Sequence, residues 1–212
     1  MAHIPHLHIP GPWDTDTLPL DADHLHHLTR VLRIGGERPV SYTDGAGRVG
    51  RGRLEGTSIV RGEERSIDRT KTITVAVAPP DSRERARFLV EKLAELGVAR
   101  LVWLETTRGQ GRPPRAEKTA AWVVGALEQS RGGWLMESSE AMVAMEGLTR
   151  PLLVAAPGGD SAAPQVTTAT VAVGPEGGWA PDEIPADATR IDLGPTILRV
   201  ETAAIVAATM LR

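Results

Sequence analysis

Val-Gly-Pro-Glu-Gly-Gly-Trp at residues 173–179 and Leu-Gly-Pro-Thr-Ile-Leu-Arg-Val-Glu-Thr-Ala at residues 193–203 decide how this chain is read. Each sits at the end of a short apolar run and just before a helical pattern. Two glycine-rich elbows that leave buried strands build a narrow slot lined by main chain. Glycine permits positive φ and lets backbone N–H and C=O groups approach a ligand closely. One glycine-containing turn is usually just a turn. Two of them, about a strand apart and with Arg199 and Glu201 directly behind the second, point to a small-cofactor site. Gly174, Pro175, Glu176, Gly177 and Gly178 form one wall, and Leu193, Gly194, Ile197 and Leu198 the other. Ala155 and Ala156, at the end of a further strand, complete it.

Outward from these elbows the chain alternates strand and helix. The residues 72–78 form a β-branched strand stopped by Pro79-Pro80. Asp81 and Glu84 have capping-box spacing. Ala86, Leu89, Val90, Leu93 and Ala94 share one helical face, and Gly97 ends that helix. Strands follow at 101–104, 152–156, 169–173 and 189–193, with helices from Pro114 through Arg131 and at 200–211. This pattern implies a largely parallel sheet covered on both faces. Residues 1–70 are different. Residues 40–43 and 48–54 flank Asp44-Gly45-Ala46-Gly47 as a hairpin, and Asp23 is placed to cap a short helix. No apolar run there is long enough for a parallel core, so a small barrel is expected. The expected domains are 1–70 and 71–212.

Composition narrows the function. The chain has 212 residues, 24% of them charged, and a formal net charge of -3. It therefore has no global attraction for nucleic acid, and any RNA contact must come from a local basic face. With 0 cysteines there are no disulfides, no thiol catalysis and no cysteine-held zinc. No apolar run is long enough to span a membrane, and the first residues lack a signal-peptide pattern, so a cytoplasmic protein is expected. The clustered histidines have no partners at ligand spacing, so no metal is expected.

Four segments resemble the ribosomal small-subunit methyltransferase E family, within the SPOUT methyltransferases. They are His27-Leu-Thr-Arg-Val-Leu-Arg33 followed by Asp44-Gly45, then Glu91-Lys-Leu-Ala-Glu-Leu-Gly-Val98, and the two elbows. They fall in family order over nearly the whole chain, and the elbows are the specific ones. The resemblance implies an α/β protein with an N-terminal PUA-like β-barrel and a C-terminal domain carrying a trefoil knot. It also implies a homodimer, S-adenosylmethionine as methyl donor, and a uridine N3 in small-subunit (16S) ribosomal RNA, free or in the assembled subunit, as acceptor. Within this frame Arg199 is the residue to stand near the target base, where its fork can hold a ring oxygen or a phosphate. It can equally pair with Glu201. Glu201 lies in a first helical turn, where the helix dipole favours a carboxylate, and is a candidate for organising Arg199. Glu176 can act as a base, hold a ribose hydroxyl or stiffen its own loop. Arg30, Arg33, Arg48, Arg51 and Arg53 make the best basic cluster, with Arg51 and Arg53 on one strand face. His27 is an RNA-facing candidate, and Arg108, Arg112 and Arg115 can extend the surface. Two alternatives remain open: an RNA binder that keeps the fold without methylating, and a methyltransferase for another nucleotide. A nucleotide-binding oxidoreductase is disfavoured, because no Gly-x-Gly-x-x-Gly follows the strand at 72–78.

Overall fold

The computed structural model describes residues 4–26, 28, 37–162 and 164–212. The chain divides into two units. One comprises residues 1–69 with 127–135; the other comprises 70–126 with 136–212.

The first unit holds a curled, mainly antiparallel sheet. Its strands are β1 (His6–His8), β2 (Thr17–Pro19), β3 (Arg38–Thr43), β4 (Arg48–Glu55) and β5 (Ser58–Ser66), in the order β1-β3-β4-β5-β2. The β3–β4 hairpin forms where the Asp-Gly turn was read. The Asp44 carboxylate accepts the N–H groups of Ala46 and Arg48 at 2.7 and 3.0 Å. Gly50 and Gly52 in β4 leave room for Tyr42, since a Cβ on Gly50 would lie 2.4 Å from the ring. Trp13, Tyr42, Leu7, Val40, Leu54 and Ile59 form the centre of the core. Each such side chain contributes about 1.5–3 kcal/mol by leaving water. The short helix α1 (Ala22–His26) starts two residues earlier than the Asp23 cap would have it: the Asp21 carboxylate accepts the His24 N–H at 2.8 Å. Residues 132–135 brace the hairpin from outside, through Gly47 N–H to Gly133 O at 2.8 Å and the Trp134 indole to Ile67 O at 2.9 Å.

The second unit is a parallel α/β sheet. Its strands are β6 (Thr72–Val77), β7 (Arg100–Leu104), β8 (Glu137–Val143), β9 (Leu152–Asp160), β10 (Thr168–Val173) and β11 (Thr189–Ile191). They lie in the order β11-β9-β10-β6-β7-β8, and every neighbouring pair is parallel. Helices α2 (Arg83–Glu95), α3 (Ala116–Ser130) and α4 (Val200–Leu211) complete it. Ser82, not Asp81, caps α2: its hydroxyl accepts the Arg85 N–H at 3.5 Å. The Asp81 carboxylate is drawn away by the Arg85 guanidinium at 2.9 Å. The helix ends in a Schellman turn, with Gly97 at φ 73 and Val98 N–H on Leu93 O at 3.1 Å. The third helix stops at Ser130 because Arg131 adopts φ 58. The last helix buries an alanine-rich face, Ala203, Ala204, Ala207 and Ala208, and packs on α2, β6 and β10. Among the described residues no helix is long and apolar enough to cross a membrane.

Strand order reverses between β10 and β6. From β6 the chain proceeds to β7 and β8, whereas from β10 it proceeds past β9 to β11. A crevice opens where such connections diverge, at the carboxyl ends of the strands, and this is where parallel sheets bind ligands.

Candidate cofactor and RNA site

Two loops leave the carboxyl ends of β10 and β11, and side chains tie both to β9, the strand between them. The Trp179 indole donates to Ala155 O at 2.9 Å, joining the loop after β10 to the middle of β9. The Asp192 carboxylate accepts the N–H groups of Gly158 and Gly194 at 3.0 and 2.9 Å, joining the last part of β9 to the second elbow. These two bonds hold the carboxyl of Asp192 below its ordinary range. Gly174, Pro175, Glu176, Gly177, Gly178, Leu193, Gly194, Ile197 and Leu198 fall on these two loops, whereas Ala155 and Ala156 lie within β9, which runs on to Asp160 instead of ending at 156.

Gly178 and Gly194 take φ values of 68 and 120, and a Cβ on either would meet no atom within 4 Å. The backbone there faces open space, which is the form of a cradle rather than of a packed turn. Ile197 is 99% exposed, an apolar side chain with nothing packed on it. Gly177 is braced from behind, its carbonyl accepting from the Arg108 guanidinium at 2.9 Å. A hollow of about 480 Å³ beside the loops is lined by Arg108, Ala156, Pro157, Trp179 and Arg190 among others. Residues 193–198 do not contribute to its lining.

Arg85, in the first turn of α2, is the residue the sequence reading missed. It donates to Glu201 at 3.1, 3.1 and 2.7 Å, to Asp81 at 2.9 Å, and to Glu176. It thus bridges the first elbow to the start of α4 at the strand-order reversal. Glu201 is buried, with a side chain 9% exposed. Burial pushes its carboxyl up, but the Arg85 hydrogen bonds, its own backbone N–H and the charges of Arg85 and Arg199 together hold it below the ordinary range. The hydrogen bonds it donates to Glu201 and then to Glu176 raise the Arg85 guanidinium above its already high value. Glu201 therefore turns to Arg85 and makes no ion pair with Arg199 among the described residues.

Arg199 stands exposed at the N-cap of α4, in extended backbone at φ -66 and ψ 155, and its side chain caps nothing. A guanidinium in that position is available to a substrate.

The basic candidates of the first unit separate. Arg48 pairs with Glu64 at 2.6 Å and lies over the Trp13 ring at 4.9 Å. Arg53 pairs with Glu55 and, at 3.6 Å, with Glu37. Among the described residues the Arg51 guanidinium makes no ion pair or hydrogen bond, and it lines a cavity of about 550 Å³ together with Arg65, Arg131 and Glu63. His27, Arg30 and Arg33 lie outside the described residues. Among the described residues no group of three or more His, Cys, Asp or Glu side chains is placed to hold a metal ion.

Glycine-rich loops at the carboxyl ends of a parallel sheet, at a reversal of strand order, define a nucleotide-type cofactor domain. The chain belongs to the RNA methyltransferase domain family, whose model matches residues 68–212. The ribosomal RNA small subunit methyltransferase E of Mycobacterium bovis is 30% identical, over 91% of this chain and 87% of its own. The crystal structure of a probable rRNA-methyltransferase from Porphyromonas gingivalis matches with a TM-score of 0.82 at 25% identity, covering 97% of this chain and 96% of that one. The ribosomal RNA small subunit methyltransferase E of Neisseria gonorrhoeae, crystallised bound to S-adenosyl methionine, has the same fold. Its TM-score is 0.83 at 23% identity, covering 98% of this chain and 96% of that one.

Proposed function

We propose that the protein methylates ribosomal RNA with S-adenosylmethionine as donor, and that the acceptor is the N3 of a uridine in small-subunit (16S) RNA. The observation that carries this reading is the pair of loops at 174–179 and 192–199, both tied to strand β9 at Ala155 and Gly158. The open glycine faces at Gly178 and Gly194 and the bare Ile197 fit an adenosine and its apolar surroundings. When bound, S-adenosylmethionine supplies an already activated methyl group on a sulfonium, so the protein's task is mainly placement. Placement can contribute roughly 7–11 kcal/mol of the barrier.

Each residue then has a role. Gly174, Pro175, Gly177 and Gly178 offer main-chain groups to the adenosine from one side; Leu193, Gly194, Ile197 and Leu198 close the other, with Ala155 and Ala156 between. Glu176 is held by Arg85, so it stiffens the loop. Arg199 holds a uracil oxygen and stabilises the negative charge that develops on the ring as the imide proton leaves. Glu201, locked as a carboxylate, sets the position of the α4 start from which Arg199 projects. Arg51 and Arg53 grip phosphates on the N-terminal unit, helped by His27, Arg30 and Arg33, and Arg108 keeps the Gly177 carbonyl in place at the RNA-facing rim.

The same reading includes a PUA-like barrel built on the curled sheet and a trefoil knot. Exposed Phe88, at 46%, is apolar surface that a homodimer would cover, and the cytoplasm is the compartment where its RNA would be met. The test is methyl transfer from labelled S-adenosylmethionine to purified small subunits and to their naked RNA, followed by nucleoside mass spectrometry. Expected is 3-methyluridine. Absence of any methylated nucleoside in both substrates would overturn the reading; a different methylated nucleoside would overturn the acceptor only.

A further inference from the structure

A second cavity on the α/β unit, of about 630 Å³, is not used by anything described so far. Arg83, Arg112, Arg115 and Lys118 line it, with Ser82, Gln110 and Asp81. It is formed by the start of α2, the loop before α3 and the first turn of α3. Gly111 makes it possible: a Cβ there would lie 1.9 Å from Pro79 O, so only glycine lets this loop lie on the Pro79-Pro80 main chain. The four cations are all exposed, and their side chains make no ion pair or hydrogen bond among the described residues. Asp81, the only acid among the described residues that line it, is already paired with Arg85 at 2.9 Å. Four uncompensated cations in one concavity are unusual for a chain of net charge -3. Such an arrangement costs self-repulsion unless an anion occupies it.

We infer that this cavity binds the phosphodiester backbone of the substrate RNA beside the target nucleotide, independently of the Arg51 and Arg53 surface. The inference rests on the methyltransferase reading above. Three of the four cations are arginines, whose planar forks match phosphate oxygens. The volume falls within the range of pockets that enclose a nucleotide-sized group. The location is also appropriate. Asp81 lies on the cavity wall and is held by Arg85, which also holds Glu176 of the cofactor loop. A strand seated here passes within one side chain of the proposed methyl-transfer site.

The test uses the full-length protein with Arg112→Ala, Arg115→Ala and Lys118→Ala combined. These sites are exposed, so the variant should unfold at the same urea midpoint as the parent. Binding of small-subunit ribosomal RNA is measured by filter retention over a series of salt concentrations, with calorimetry of S-adenosylmethionine in parallel. Each phosphate contact contributes about 0.7 to the salt slope for single-stranded RNA, so the slope should fall by about 2. Cofactor affinity should not change. An RNA salt slope equal to the parent's overturns the inference while leaving methylation by the parent protein intact. Failure of the parent to methylate any RNA instead removes the reading on which it rests. Polyglutamate is the competing probe: if the parent binds it and the variant does not, while RNA binding is the same in both, the cavity is a site for acidic protein and the inference is wrong.

Discussion

Replacing Arg85 by alanine should cost far more than its partly exposed position implies, and the cost should depend on pH in a particular direction. Arg85 satisfies a carboxylate that is nearly out of water: the Glu201 side chain is 9% exposed and Arg85 itself 23%. Removing one partner of a buried pair costs about 3–5 kcal/mol, because the other charge is left without compensation. Residual solvent at Arg85 screens part of this, which brings the expectation to about 2–4 kcal/mol. In the parent protein the Glu201 carboxyl is held below its ordinary range, so the pair's contribution is full at neutral pH and fades as pH falls through that range. In Arg85→Ala, burial is the largest influence on the Glu201 carboxyl and is opposed only by its own backbone N–H and the charge of Arg199, so the carboxyl moves up. The penalty is then greatest at high pH and is relieved when the carboxyl protonates. Urea unfolding should show the full deficit near pH 8 and a deficit below about 1 kcal/mol near pH 4.5. Arg85→Met combined with Glu201→Gln should recover most of the loss at both pH values. A deficit under about 1 kcal/mol near pH 8, or one that does not shrink on acidification, would refute the assignment of Arg85 as the counter-ion of Glu201.

Three further outcomes are expected. Gly178→Val introduces a β-branched side chain at φ 68 into open space, so it should cost about 1–2 kcal/mol of stability yet lower S-adenosylmethionine affinity by more than about tenfold; unchanged affinity by calorimetry would remove Gly178 from the slot. Arg199→Ala should reduce the single-turnover methylation rate by about 10²–10³ without changing cofactor affinity, and Arg199→Lys should recover part of it; a normal rate in the alanine variant would rule out its role in transfer. Burial lowers the pKa of His6, between Ser41 Oγ at 2.9 Å and Gly132 O at 3.1 Å, and of His8. In that window the unfolded chain binds more protons, so the N-terminal unit should lose stability as pH falls below about 6.5; hydrogen exchange showing greater protection of β1 and β3 at lower pH would contradict this.

The parts of the fold that could be read from sequence are those with a local physical signature. Residues 200–211 are apolar on almost every side, and the structure makes them a helix of those bounds, Val200–Leu211. The β-branched run at 72–77 is the buried strand β6, and Asp44-Gly45 is the hairpin turn. Strand β8 had no such signature. Its Glu-Ser-Ser-Glu start lies at the edge of the sheet and alternates weakly, so neither burial nor period marks it. The cap of α2 moved from Asp81 to Ser82 because a residue in the following turn, Arg85, competes for the aspartate.

At the site, glycine spacing located the loops, since positive φ is a local demand. It did not show what fastens them. Asp192 could have been found, because Asp-x-Gly favours an aspartate that accepts the N–H two residues on, as it does from Gly194. Its second bond, to Gly158, joins residues 34 apart and has no local trace. Arg85 and Glu201 are 116 residues apart and meet only because α2 and α4 pack together. For the same reason Arg199 could not be told from a partner of Glu201 by sequence: what frees it is a distant arginine.

The most direct measurement is a crystal structure of the protein with S-adenosylmethionine. The ligand should lie against the main chain of residues 174–178 and 193–198, with Ile197 covered and the methyl group directed to where Arg199 can reach an acceptor. Density for the ligand in another hollow of the molecule, or no binding at these loops at saturating concentration, would contradict the account.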